Sequence, residues 1–308
     1  MKKKWTYTLL LASALAAAFA VHQLSSEPSK GIFYKVNGGT CELYLLGSIH
    51  VGSNEMYPMA DSIVEAIEQA DVVVFECDTT TPEAQATTAA LMKSDRSLED
   101  RVSPECLELV QKAAEKLGYS MDQLSQLDSW AITSMMTVSA AADEMDAGNS
   151  KTASKLGVEN VVRKRLKKQE TDYLETVEQQ LGLLEAFSPE LQEYLLVSAC
   201  EAVLGIAPAK NQDLEQWPGW WREGNAQAFA DSYIRSLSSE ASPELAMEYH
   251  HALLVERNHH MASKLIDLLE NAQNKKVVAV VGLMHLVTEQ DSVIAELQAK
   301  GYTVEQIR

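Results

Sequence analysis

His50 and His285 stand out as candidates for chemistry because each follows an apolar run and a glycine at a similar interval. The first is Leu43-Tyr44-Leu45-Leu46-Gly47-Ser48-Ile49-His50, and the second is Val277-Val278-Ala279-Val280-Val281-Gly282-Leu283-Met284-His285. A lone Gly-x-x-His is commonplace, but two copies 235 residues apart would bring two imidazoles to one edge of a sheet if both runs are strands. Imidazole suits proton transfer and metal ligation because its ordinary pKa lies near neutrality. Glu76 is a third candidate, directly after Val72-Val73-Val74-Phe75. A carboxylate at the end of a buried run needs a charged, metal or hydrogen-bonding partner.

The elements that must position these residues follow from periodicity. Four or five apolar residues in a row, without helical spacing, suit strands covered on both faces. In an open α/β sheet the ligand crevice forms beyond the carboxyl ends of such strands. Ile32–Val36 is a further strand, and Asn37-Gly38-Gly39 turns it back into the His50 strand as a hairpin, so the sheet is mixed. Ile63, Ala66, Ile67 and Ala70 recur at helical spacing over 61–70. Helices are expected around Pro82–Met92, Pro104–Leu117, Met121–Leu127, Trp130–Met145 and from Leu245 to Leu269, with a short strand at Thr171–Leu174. Thr176 and Gln179 have capping-box spacing. A helix at Asp291–Gln298 and a strand at Tyr302–Ile307 close the chain. The fold class is therefore α/β (α+β mixed): a central mixed β-sheet flanked by helices, with a large, mostly helical insertion at about 79–200 between the two Gly-x-x-His halves.

At 308 residues and 46% apolar content the chain can bury a substantial core. Lys2, Lys3 and Lys4 precede a nearly apolar run from Tyr7 to Ala20 ending Ala18-Phe19-Ala20, the pattern of a signal peptide over 1–20. Left uncleaved, that run would tether the protein to a membrane. A polar spacer at 21–30 leads to a single domain at 31–308, and the expected location is extracytoplasmic, periplasmic or secreted. A net charge of -18 argues against nucleic acid or an anionic membrane surface as a partner. Cys41, Cys77, Cys106 and Cys200 are too few for a disulfide framework.

Other features have structural readings. The run Arg163 to Lys168 (RKRLKK) reads as a solvated helix face, and Trp217, Trp220 and Trp221 as a packed junction. Met135, Met136 and Met145 fill a helical core or line a flexible groove. His259 and His260 point about 100° apart on a helix and do not share a ligand easily. The chain has no Gly-x-Ser-x-Gly, no His-Glu-x-x-His and no Cys-x-x-Cys, which disfavours serine-hydrolase, zincin and thioredoxin-like chemistry.

Seven segments in order, LYLLGSIHVGSNEMYP (43–58), VVVFE (72–76), LETVEQQLGLLEAF (174–187), WREGN (221–225), VERNHHMA (255–262), VVAVVGLMHL (277–286) and AKGYTVEQI (299–307), resemble the TraB/PrgY/GumN family, which includes TIKI-type proteases. The family is similar in turn to erythromycin esterases and ChaN-like proteins. The chain departs from the pattern at Met284 and Val287, where glycine is usual. The resemblance implies that the two histidine signatures fall on Gly47–His50 and Gly282–His285, the strand-end carboxylate on Glu76, the Arg-Asn pair on Arg257 and Asn258, and an acidic position on Glu175.

On that resemblance, His50, Glu76 and His285 would hold a divalent ion, Mn, Co or Zn, and activate water. Glu175 would accept the water proton and Arg257 would stabilise the oxyanion. The expected activity is a metal-dependent peptidase acting on peptide or protein substrates. Two alternatives stay open: a metal-free His/Glu acyl or ester hydrolase, with His50 as base oriented by Glu76, and a non-catalytic protein that sequesters a peptide signal.

Overall fold

A computed structural model describes residues 27–206, 213–238 and 242–307. The expected signal peptide at 1–20 and the first part of the spacer lie outside the described residues. Strands β1 (Ile32–Asn37), β2 (Glu42–Ser48), β3 (Val72–Phe75), β4 (Glu170–Tyr173), β5 (Lys276–Gly282) and β6 (Thr303–Gln306) form one sheet in the order β4-β3-β5-β2-β1-β6. β2, β5, β3 and β4 run parallel, while β1 is antiparallel to both β2 and β6. The mixed sheet and the hairpin agree with the sequence expectation. Val277 to Val281 are all fully buried, as a central strand covered by helices on both faces requires.

Between β3 and β5 the chain is mostly helical, with a second apolar cluster apart from the sheet core. Helices Pro104–Leu117, Ser129–Glu144 and Pro189–Leu204 supply Val110, Ile132, Met136 and Leu196 to it. The helical region is not one uninterrupted block. β4 returns to pair with β3, and Ala153, Val158 and Val162 pack into the sheet core.

Three side-chain expectations are settled by packing. Met136 and Met145 are buried core residues, with Met135 packed against the second cluster, so the methionines fill the core. Arg163 departs from the solvated face expected of its basic run: its guanidinium lies 3.8 Å from the Phe75 ring centroid and donates to the Cys77 carbonyl. A flat, weakly hydrated cation stacks on an aromatic where lysine would stay in water, and Lys164, Lys167 and Lys168 are indeed exposed. Trp221 is fully buried and donates from Nε1 to the Gly47 carbonyl at 3.1 Å, so the tryptophan cluster anchors the end of β2. All four cysteines are free thiols. Among the described residues no helix is long and apolar enough to cross a membrane.

Candidate functional site

The four parallel strands end together, and each delivers a polar residue to the same edge. β2 leads to Ser48 and His50, β3 to Glu76, β4 to Glu175, and β5 to Gly282 and His285. The ladders continue past the strands, with Glu175 N–H donating to the Glu76 carbonyl and Leu283 N–H to the Ser48 carbonyl. The register therefore sets Glu76 beside Glu175 and the two histidine loops beside each other.

Two of the glycines have steric reasons to be there. A Cβ on Gly282 would lie 2.8 Å from Glu76 Oε1, and the Gly282 N–H donates to that same oxygen. A Cβ on Gly157 would lie 2.3 Å from the His50 carbonyl oxygen. That contact lets the segment before helix Val158–Arg163 lie against the His50 loop, where Val158 N–H donates to the Ile49 carbonyl at 3.0 Å. Gly282→Ala is expected to displace a carboxylate that other donors hold in place, lowering stability by about 1–3 kcal/mol in urea denaturation.

Glu76, Glu175 and Arg257 form a buried ionic group. Arg257 donates from Nε and Nη2 to Glu175 at 2.7–3.1 Å and from Nη2 to Glu76 Oε2 at 2.9 Å. Gln180 adds a bond to the same Glu76 oxygen at 2.9 Å. Burial alone would raise the Glu76 pKa. The positive charges of His285 (when protonated), Arg257 and His50, with the Gly282 amide, instead hold it down at about 2. His285 is itself neutral near pH 7, so there Arg257, the charged His50 and the amide carry that effect. Arg257 lies two residues after a single π-turn, His251–Val255, and its Nη1 donates to the Leu253 carbonyl in that turn. Such bulges are frequent at functional sites.

His285 is fixed by Asn258. The Asn258 amide nitrogen donates to the Asp291 carbonyl, which turns its oxygen toward His285 Nδ1 at 2.6 Å. That network assigns the proton to Nδ1 and leaves Nε2 as a bare lone pair. Burial pushes the ring down to about 4, so it is neutral near pH 7. Nε2 faces Glu76 Oε1 at 4.0 Å, and no donor among the described residues lies between these two acceptors.

His50 is placed differently. Its side chain is 72% exposed, and Nδ1 lies 2.5 Å from Glu159 Oε1, which also accepts from Ser48 Oγ at 2.8 Å. Glu159 pushes the His50 pKa up to about 9, an effect that solvent around the exposed ring screens in part. Sequence reasoning missed Glu159, which lies 109 residues from His50 in a helix with no motif of its own. Asn258 was noted only as the neighbour of Arg257, and Gln180 not at all.

Among the described residues no three His, Cys, Asp or Glu side chains converge as a metal cluster. The Glu76–His285 pair nevertheless fits a divalent cation chemically: a neutral nitrogen lone pair faces an ionised carboxylate oxygen. Each imidazole also has Nδ1 committed to an oxygen partner and Nε2 left over, the usual outer-sphere arrangement of metal-bound histidine. Both Glu175 oxygens are occupied by Arg257. His259 lies on the surface against Glu296, away from the strand ends.

The two histidines act oppositely on stability. The folded pKa of His285 lies below its unfolded value of about 6.5, so the unfolded chain binds more protons between roughly pH 6.5 and 4, and stability is lost as the pH is lowered through that window, by up to about 3 kcal/mol. Chelator-treated His285→Asn should show a flatter acid limb in urea titrations. His50, with its pKa raised, stabilises below its ordinary pKa, and that contribution fades as pH rises toward about 9.

Comparison with known proteins gives partial relatives. A segment of 103 residues is 29% identical to a protein described as "Uncharacterized protein YbaP" from Escherichia coli (strain K12), covering 33% of this chain and 38% of that relative. The protein of the same description from Shigella flexneri matches to the same extent. The match thus spans well under half of those relatives. No solved structure matches the chain significantly. The TraB/PrgY/gumN family matches residues 32–306, and on that near-complete match the chain belongs to the TraB/PrgY/gumN family.

Proposed function

We propose that the protein is an extracytoplasmic hydrolase of acyl bonds, amide or ester, that works through a divalent cation at the ends of β3 and β5. The observation that carries this reading is the buried His285 ring, held at Nδ1 by Asn258 so that its Nε2 faces the Glu76 carboxylate at 4.0 Å. Glu76 and His285 would be ligands, and His50 the third by turning its free Nε2 inward. A bound divalent ion would supply water of lowered pKa at neutral pH.

The chain's own groups have distinct tasks. Asn258 keeps the proton on His285 Nδ1, so that Nε2 always presents its lone pair. Glu159 does the same for His50 and favours its imidazolium when no ligand is present. Arg257 balances the charge of two buried carboxylates and keeps Glu76 ionised. Glu175, with both oxygens on Arg257, is a positioning residue in this reading rather than the proton acceptor. The extracytoplasmic location rests on the signal-peptide pattern over 1–20.

A metal-free reading is favoured by one observation, the His50–Glu159 pair. Glu159 makes His50 a charged donor, so the base would be His285 Nε2, with His50 and Arg257 stabilising the oxyanion. The separating experiment is turnover of a peptide library and of p-nitrophenyl esters by chelator-treated protein, with and without Mn, Co or Zn. Activity restored by metal supports the first reading. Full activity without metal selects the second, and saturable peptide binding with no turnover would replace both with a sequestering role.

A further inference from the structure

Beside His50 the helical region encloses a cavity of about 610 Å³, within the roughly 300–1,000 Å³ of small-molecule sites. It reaches from His50 and Leu253, next to the ionic group, into the space between the helices Ser129–Glu144, Pro189–Leu204, Ala226–Ser238 and Pro243–His250. In a chain of net charge -18, no Asp, Glu, Lys or Arg among the described residues lines it. A charged occupant would find no counter-ion there except at the His50 end.

The polar groups on the wall are largely spent. Thr133, Ser134 and Ser198 donate their hydroxyls to carbonyls one turn back, and Ser236 donates to the Tyr233 carbonyl. The Gln192 amide donates to the Glu185 and Phe187 carbonyls, and Tyr233 pairs with His250 Nδ1. Trp130 also lines the cavity, and its buried indole N–H is the one wall donor without a partner among the groups named here, a single donor against an otherwise apolar wall. A peptide backbone threaded here would leave N–H and C=O groups unmatched, at about 1–3 kcal/mol each. A hydrocarbon chain carries no such groups and gains from leaving water.

We infer that this cavity holds a long aliphatic acyl chain, with the polar head of the substrate at His50, so that the bond cleaved belongs to a lipid-like amide or ester. The binding inference stands on the cavity; only the position of the scissile bond rests on the hydrolase reading above.

The test is fluorescence titration of the purified protein with cis-parinaric acid. Expected are saturable binding, displacement by palmitate but not by acetate, and affinity weakened by about tenfold or more in Thr137→Trp, which fills the cavity from the helix Ser129–Glu144. Leu195→Trp fills it from the helix Pro189–Leu204 and serves should the first variant fail to fold. Lys112→Ala, on the exposed face of the helix Pro104–Leu117 and outside the cavity, should bind the probe as the wild type does. No saturable binding, binding that neither folded cavity variant weakens, or better displacement by a leucine-rich peptide amide than by palmitate would overturn the inference. Probe binding as expected with no hydrolysis of any acyl substrate would leave the inference standing and remove the hydrolase reading alone.

Discussion

Arg257→Met is expected to lower unfolding free energy at neutral pH by about 3–5 kcal/mol, because it leaves two buried carboxylates without their shared cation. Glu76 and Glu175 are 8% and 5% exposed, so water does not replace the guanidinium. The sign of the pH dependence follows from Glu76. In the wild type its pKa is depressed, so its contribution is complete above the ordinary carboxylate range and fades as pH falls through about 2. In the variant the orphaned carboxylates gain stability by taking up protons, so the deficit narrows as the solution is acidified. Urea denaturation at pH 7 and pH 4 measures both effects. A loss below about 1 kcal/mol, or one that does not change with pH, would show that the ionic group is not what holds this edge together.

Glu76→Gln is expected to do the reverse, sparing the fold and removing the chemistry. Arg257 keeps its paired bonds to Glu175, and the Gly282 N–H can still donate to an amide oxygen. The new NH2 meets Arg257 Nη2 and Gln180 Nε2, two donors facing a donor, at a cost of about 1–3 kcal/mol. Turnover should fall by at least about 100-fold, the scale on which losing a catalytic acid–base group or an outer-sphere metal partner is felt. Turnover within a few-fold of wild type would take Glu76 out of the reaction.

The parts of this site that could be read from sequence are those carried by short apolar runs. Val72–Phe75 and Val277–Val281 have no helical spacing, so they declare strands; Glu76 follows the first at once, and His285 comes four residues after the second. Thr176 and Gln179 form the capping box that their spacing announced, which starts the helix carrying Gln180. Glu159 was illegible because its role depends on where helix Val158–Arg163 lands, decided by Gly157 lying against the His50 carbonyl. The π-turn before Arg257 was illegible for a related reason, since a single wide turn leaves the apolar spacing of Leu245 to Leu269 looking like continuous helix. Arg163 was misread because a basic run states charge, whereas Phe75 close by is a tertiary fact. The apolar cavity is not where the methionines are: it is walled by leucine, alanine, serine and threonine on several helices, a pattern no single helix displays.

The most direct measurement is metal content by plasma mass spectrometry after exposure to Mn, Co and Zn and buffer exchange, on the wild type and on His285→Ala. Near-stoichiometric metal in the wild type and little in His285→Ala is the result expected of a cation held between Glu76 and His285. Equal metal in both proteins, or none retained by a wild type whose hydrolysis is unaffected by chelator, would contradict it.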